Sequence, residues 1–520
     1  MASSAANRVI DYRRLIHILQ HRAEVLNLVG RNNQALHDIE IGLRHARTNG
    51  DRQAEADCLR QSSGVYGDIS RNDVSLRLAE DALRLYREIG DSRGETESIN
   101  SIGCAREGLG DYHLALERYT DSLRISMATG DRRGQADSLG SLGNVHNSLG
   151  EYPAALSRYG ECAGIFQQIG DRRGQATCLN NIGLVHNRLG DQTAALEHYT
   201  GALEAYRQIG DRRGQAYCLN NIGLVHNGRG EYRAALDCYT RSLRIKQEIG
   251  DRSGQAMSLN NIGIMHHNLG DFPAAEACFV QAHEIAEETG DRRGLALCCN
   301  NLGNVHQSQG VHRSALEDHQ RSLEIRREIG DRSGQAISLV NIGRIEHEAG
   351  DLATAERHIL AAGEIAQKTG ERELLRRVAV AQGSLELEQW LGQPGRDLGT
   401  LEIIGRQHAE QALELARALS SRMGTGEALL LRARITAAAG KWQVSEGEFM
   451  EAISAFREIE QPLELAKAYY YYGEMLTSRI RKPECRTQEN TKEAGEYLHK
   501  AREIFERIGA RGWLARTEDA

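Results

Sequence analysis

DRRGQATCLNNIGLVHNRLGDQTAALEHYTGALEAYRQIG (Asp171–Gly210) is followed at once by two near copies of itself. DRRGQAYCLNNIGLVHNGRGEYRAALDCYTRSLRIKQEIG extends to Gly250, and DRSGQAMSLNNIGIMHHNLGDFPAAEACFVQAHEIAEETG extends to Gly290. Self-similarity at a period of roughly 20–50 residues marks an array of stacked supersecondary units rather than one globular core. Outward from this stretch the period persists. Gly50, Gly90, Gly130, Gly170, Gly210, Gly250, Gly290, Gly330 and Gly370 stand forty residues apart, each followed by Asp or, at Glu371, by Glu. A second glycine series bisects the first at Gly30, Gly110, Gly150, Gly190, Gly230, Gly270, Gly310 and Gly350, with Ser70 as the missing member.

Glycine ends helices because it accepts the left-handed conformation. An acid just after it caps the next helix and complements its dipole. Each repeat is therefore predicted as two antiparallel helices, at about 172–189 and 192–209 in the first copy. Ala176, Leu179, Ile182, Gly183 and His186 form one stripe of the first helix, and Ala195, Tyr199, Ala202 and Leu203 one stripe of the second. Gly183 lets the partner helix approach closely. Nine repeats in register begin at Asp11, Asp51, Asp91, Asp131, Asp171, Asp211, Asp251, Asp291 and Asp331.

After Glu371 the register breaks. An insert, Gln393–Gly405, precedes a helix expected from Arg406 to about Met423, and two further helix pairs follow. The polar segment Arg479–Asn490 reads as a mobile loop. All three tryptophans, Trp390, Trp442 and Trp513, lie in this part. The expected organisation is degenerate capping repeats over 1–90, regular repeats over 91–370, and divergent repeats with inserts and a C-terminal cap over 371–520.

Composition excludes several classes. The chain has 520 residues, five prolines and six phenylalanines, and it is rich in helix formers. The net charge of −8 gives no basic footprint, so nucleic acid is not an expected partner. No run of about 18 apolar residues occurs, so membrane insertion is not expected. The opening MASSAANRVIDYRRL lacks an apolar signal core, and a cytoplasmic location is expected. There is no GxxxxGK[ST], HExxH or CxxC pattern, and neither an enzymatic activity nor a cofactor is expected. Cys178, Cys218 and Cys298 share one slot of the repeat and Cys238 and Cys278 another. Equivalent slots in neighbouring repeats lie on the order of 10 Å apart. A disulfide needs Cα atoms within about 7 Å, so these cysteines read as reduced, buried, small apolar residues. His146, His186, His226, His266 and His306 form a ladder. Rungs about 10 Å apart cannot share a metal ion bound at about 2 Å, so the ladder reads as packing.

In the copy from Asp131, the order Leu142, Gly143, His146, Gly150, Tyr152, Ala155 and Tyr159 resembles the tetratricopeptide repeat. Each unit is longer than the common repeat of about 34 residues, and the usual proline near its end is absent. Both departures resemble the forty-residue repeats of LGN/Pins-type scaffolds. They also resemble the repeat arrays of bacterial signalling proteins joined to nucleotide cyclases or ATPase modules. The resemblance implies an all-α, right-handed superhelical solenoid of about twelve helix-turn-helix repeats, whose first helices line a concave groove.

Asparagines mark that face. Asn180, Asn220, Asn260 and Asn300 fill one slot, and Asn181, Asn221, Asn261, Asn301 and Asn341 fill the next. Asn187, Asn227, Asn304 and Gln307 extend the stripe, and Asn144 adds to it. Asparagine is a mediocre helix former, so its recurrence in mid-helix asks for another cause. Two readings stand: amides that bind a partner's backbone, or a ladder of amides bonded between neighbouring helices. Repeats advance about 10 Å and an extended peptide about 3.3 Å per residue, so one rung would meet every third residue of a bound segment. Thr177, Tyr217, Met257, Leu297 and Ile337, with Leu184, Leu224 and Ile264, would add an apolar track. The resemblance to LGN/Pins-type grooves implies arginines where Tyr217, Met257 and Leu297 stand, so their taste for acidic segments does not carry over. The leading expectation is a non-enzymatic scaffold that holds a protein or peptide segment in the groove. The alternative is a sensor arm that controls a cyclase, kinase or ATPase effector.

Overall fold

The structure, a computed structural model, describes residues 2–28, 30–69, 71–392, 401–481 and 487–519. Among the described residues there is no strand. Twelve successive helix pairs run from Ala2–Leu28 with Asn32–Thr48 to Pro462–Ile480 with Gln488–Ile508. A short helix, Arg511–Asp519, closes the chain. The pair read from the first quoted copy is Arg172–Arg188 and Gln192–Gln208, within a residue of expectation. By packing, the chain forms two units. The first holds Met1–Ile222 and Arg244–Ser253, the second Gly223–Leu243 and Gly254–Ala520.

Within the first unit, the turn at Gly170 shows why a repeat ends where it does. Gly170 has φ of 74°, a conformation that costs glycine little. It lets the Asp171 amide turn back to the Phe166 carbonyl at 2.9 Å, closing the preceding helix. The Asp171 carboxylate then accepts the Gly174 amide at 2.8 Å, capping the next one. Arg133, from the repeat before, reaches the same carboxylate at 3.2 Å. Arg173 repeats this toward Asp211 at 2.9 Å. The acid therefore ends a turn, starts a helix and joins two repeats. The second unit repeats the cap, with Asp291 accepting from Gly294 and Asp331 from Gly334, both at 2.9 Å.

The two helices of a repeat meet glycine to ring. A methyl group on Gly183 would stand 2.9 Å from the Tyr199 ring, and one on Gly143 would stand 2.6 Å from Tyr159. In the second unit the same contact joins Gly263 to Phe279 and Gly303 to His319. Ala176, Ala195 and Ala202 are fully buried around the first of these contacts. Small residues let the helix axes close up, and the ring fills the volume that remains.

The C-terminal part differs from expectation in three places. The helix from Arg406 stops at Ala418, not near Met423. Ser420 adopts φ of 51°, and Ser421 caps a new helix by accepting the Gly424 amide at 3.1 Å. Ser420, Gly440 and Glu460, all at positive φ, restore the twenty-residue spacing of turns after the insert. Of the insert, residues 393–400 lie outside the described residues, and Leu401–Gly405 is a π-helical turn. Of the segment read as a loop, Arg479 and Ile480 end one helix and the next starts at Gln488; residues 482–486 lie outside the described residues.

The third difference is long-range. In the second unit the tail helices pack back on mid-repeat turns. Gln461 Nε2 donates to the Tyr232 hydroxyl at 2.9 Å, in a buried contact across 229 positions. Ile459 lies against Gly230, Ile508 and Pro462 against Gly270, and Gly512 against Gly310. Tyr232 and Phe272 are buried beneath this tail, in one core with Phe456, Phe505 and Trp513.

One buried histidine sets an acid limit on the second unit. His319 is wholly buried, and neither ring nitrogen has a hydrogen-bond partner. Burial, reinforced by Arg344 and Arg326, pushes its pKa down to about 3. The folded chain holds it neutral, while the unfolded chain binds a proton below about pH 6.5. Stability is therefore lost as pH falls from about 6.5 toward 3, by roughly 2 kcal/mol at pH 5. His319→Phe, which copies Phe279 one repeat earlier, is expected to flatten the fall in melting temperature between pH 7 and 5. An unchanged slope would show that His319 does not carry it.

Candidate functional site

Each unit is taken by itself. In the first, the Arg172–Arg188 helix presents Thr177, Asn180, Asn181, Leu184 and Asn187 on one face. The following helix adds Tyr217, Asn220 and Asn221. Tyr217 is 47% exposed, with the Arg213 guanidinium 5.9 Å from its ring centre. Asn220 is buried, and the other asparagines of this face are half-buried.

The second unit holds Leu224, Asn227, Met257, Asn260, Asn261, Ile264, Leu297, Asn300, Asn301, Asn304 and Gln307. Leu224, Met257 and Leu297 are 44%, 54% and 43% exposed. Single exposed apolar residues are ordinary on a surface. Met257 and Leu297 occupy one repeat slot in consecutive first helices, and so form a row.

The asparagines are bonded to one another. Asn221 donates to the Asn180 amide oxygen at 2.9 Å in the first unit. In the second, Asn301 donates to Asn260 at 2.8 Å and Asn341 to Asn300 at 3.0 Å. Each rung runs from the second asparagine slot of one repeat to the first slot of the repeat before. A side-chain amide has two donor hydrogens and an oxygen with two lone pairs, so a rung leaves bonding capacity on both partners. Gln307 is drawn away from the row, donating to Glu348 at 3.1 Å.

The remaining repeated residues are accounted for by turns. His146 pairs with Glu151 at 2.6 Å, His266 with Asp271 at 3.4 Å and His306 with Asp318 at 2.7 Å. Each histidine is half-buried at the end of a first helix, and the Asp318 hydrogen bond raises the pKa of His306. Among the described residues no cluster of three or more His, Cys, Asp or Glu side chains is arranged to hold a metal ion. Arg212 pairs with Glu248 and Arg292 with Glu328, so these arginines brace the inter-repeat turns. No helix, among the described residues, is long and apolar enough to cross a membrane.

A repeated helix pair with a capping acid and a glycine under a ring defines a helical repeat solenoid. The tetratricopeptide-repeat profile matches residues 95–168, 134–208, 174–248, 254–328 and 296–368, more than half of the chain. The chain belongs to the tetratricopeptide-repeat family. No curated protein sequence matches it significantly. A solved structure of similar fold is the signal transduction ATPase with numerous domains, with a tetratricopeptide repeat sensor, from Pyrococcus horikoshii. It is 13% identical with a TM-score of 0.50, over 71% of this chain and 55% of that one. Yeast Tom70 is 13% identical with a TM-score of 0.40, over 90% of this chain and 97% of that one. A Rap protein complexed with competence and sporulation factor is 15% identical with a TM-score of 0.48, over 71% and 99%. At 13% identity the likeness to the Pyrococcus horikoshii protein is one of fold.

The ladder makes a local prediction. Asn301→Ala removes the donor to Asn260 and is expected to cost about 1 kcal/mol. Amide exchange in the helices Arg252–Asn268 and Arg292–Gln309 should quicken about five-fold, with distant helices unchanged. Unchanged exchange would show that the rung carries no stability.

Proposed function

We propose that the chain is a non-enzymatic scaffold, working in the cytoplasm, that binds an extended protein or peptide segment on its first-helix faces. The observation that carries this is the row of exposed apolar side chains above a structural amide ladder. Met257 and Leu297 expose about half their surface although the adjacent Ile262 and Leu295 are buried. An apolar row at one residue per repeat, on a rigid support, suits a partner with apolar anchors at about every third position. The half-buried Asn260 and Asn301 beside it carry amides of a kind that can bond a backbone of any sequence. In the first unit Thr177 and Tyr217, with Asn180 and Asn181 beside them, offer the same combination on a smaller scale. The reading keeps the regular repeats of 91–370 as the binding part and the flanking repeats as caps.

The test is selection of displayed random peptides on the full-length chain. Enriched sequences should carry apolar residues three positions apart. Met257→Glu with Leu297→Glu should weaken their binding at least ten-fold while leaving the melting temperature within a degree or two, because both side chains are exposed. Peptides that bind the double variant equally well would remove this face from the function.

A further inference from the structure

Packing of each second helix on the next first helix brings residues sixteen apart into contact. Ser122 and Ser138 meet there with their hydroxyl oxygens 2.8 Å apart, and Ser322 and Ser338 at 3.3 Å. Between Ser122–Ser138 and the centre of the array, in the first unit, the same rung holds two cysteines. Cys178 Sγ lies 3.1 Å from Cys162 Sγ, and the residues are 3% and 2% exposed. The other cysteines of the rung face a smaller residue without sulfur, Cys58 opposite Gly42, Cys218 opposite Ala202 and Cys298 opposite Ala282. Among the described residues, Cys162 and Cys178 are thus the one place where the repeat slot opposes two sulfurs.

We propose that Cys162 and Cys178 are a modification site: a dithiol that hydrogen peroxide oxidises to a disulfide joining the helices Tyr152–Gln168 and Arg172–Arg188. Side chains whose terminal atoms already meet need little backbone movement to satisfy disulfide geometry. In the first step one thiolate attacks a peroxide oxygen. An S–O bond forms, the O–O bond breaks and hydroxide leaves, giving a sulfenic acid. In the second step the other sulfur attacks the sulfenic sulfur. An S–S bond forms, the S–O bond breaks and the OH departs as water with the proton of the second thiol, the first thiol's proton having joined the hydroxide of the first step. Two thiols and one peroxide thus give one disulfide and two waters.

Burial shapes the rate. The neighbouring sulfur and the apolar surroundings push the Cys162 thiol up, so its reactive thiolate is rare in the closed helix pair. Oxidation therefore proceeds through brief local opening, and a small oxidant is the one that gains entry. Cys162 also lies close to the Ala136 carbonyl, at 3.1 Å, so the sulfur is held on the side facing Cys178. The disulfide would fix the Arg172–Arg188 helix, whose other face carries Thr177, Asn180 and Asn181, against the repeat before it.

The test treats the native full-length chain with hydrogen peroxide, alkylates remaining thiols and maps peptides without reduction. The exposed Cys104 reports that oxidant was present. A cross-linked Cys162–Cys178 peptide is expected, lost on adding dithiothreitol and absent from Cys162→Ser. The double variant Cys162→Ser with Cys178→Ser rebuilds the serine rung of the preceding repeat and so keeps its fold. Its peptide map should lack the cross-link, and its melting temperature should no longer respond to peroxide. Recovery of both residues as alkylated thiols while Cys104 is oxidised would overturn the proposal. So would a cross-link that forms only in the urea-unfolded chain.

Discussion

A ring seated on a glycine is the contact on which the repeats of 91–330 depend. Tyr199 on Gly183 and Phe279 on Gly263 set the distance between the two helices of a pair. Every other interaction is arranged around that distance. With the axes this close, only small residues fit at the neighbouring positions, and Ala176, Ala195, Ala202, Ala275 and Ala282 are accordingly fully buried, as is Ser122 in the slot of Ala202. A larger residue at Gly183 would meet the Tyr199 ring and the Ala195 carbonyl together, and both belong to a rigid helix. Overpacking of this kind commonly costs about 1–3 kcal/mol.

Successive pairs stack through apolar packing, as of Tyr159 on Val185, and through a second layer of polar contacts. Acids at the turns tie Arg133 to Asp171 and Arg173 to Asp211, and amides tie Asn221 to Asn180. Exposed ion pairs contribute little singly, so these contacts set register more than they add stability. A solenoid bound only to its neighbours unfolds piecemeal. The second unit departs from that rule, because Gln461 on Tyr232 and Gly512 on Gly310 close the tail onto repeats that lie far behind it in the chain. Such closure couples the ends of the unit, so the tail cannot fray without exposing Tyr232 and Phe272.

The repeat was legible because glycine, acid and ring each answer a local need, and local needs recur at each copy. The helix ends followed from the glycine series to within a residue. Ser420 hid one helix end, since a serine at φ of 51° gives no warning in the sequence. The tail packing was invisible for a different reason: its contacts span some two hundred residues, and no periodicity relates them. The cysteine pair escaped because equivalent slots forty residues apart were compared. The helix packing instead opposes residues sixteen apart, so Cys178 meets Cys162 rather than Cys218.

The asparagine row shows how structure divides what sequence left joined. Its recurrence was open between binding and bracing, and the rungs from Asn301 to Asn260 and from Asn341 to Asn300 supply the bracing. Bracing takes up part of the amides' capacity, since Asn300 also donates to Asn301 and Asn341 donates to both Asn300 and Asn304. A ladder that holds its own amides in fixed orientation also presents their unused hydrogens and lone pairs in fixed orientation. A free asparagine on a helix surface would lose rotamer entropy on binding a partner; one already bonded has lost it on folding. On the proposed reading, the same rungs that align the repeats would lower the cost of binding an extended chain. Selectivity would then fall, on that reading, to the exposed apolar side chains of Met257 and Leu297.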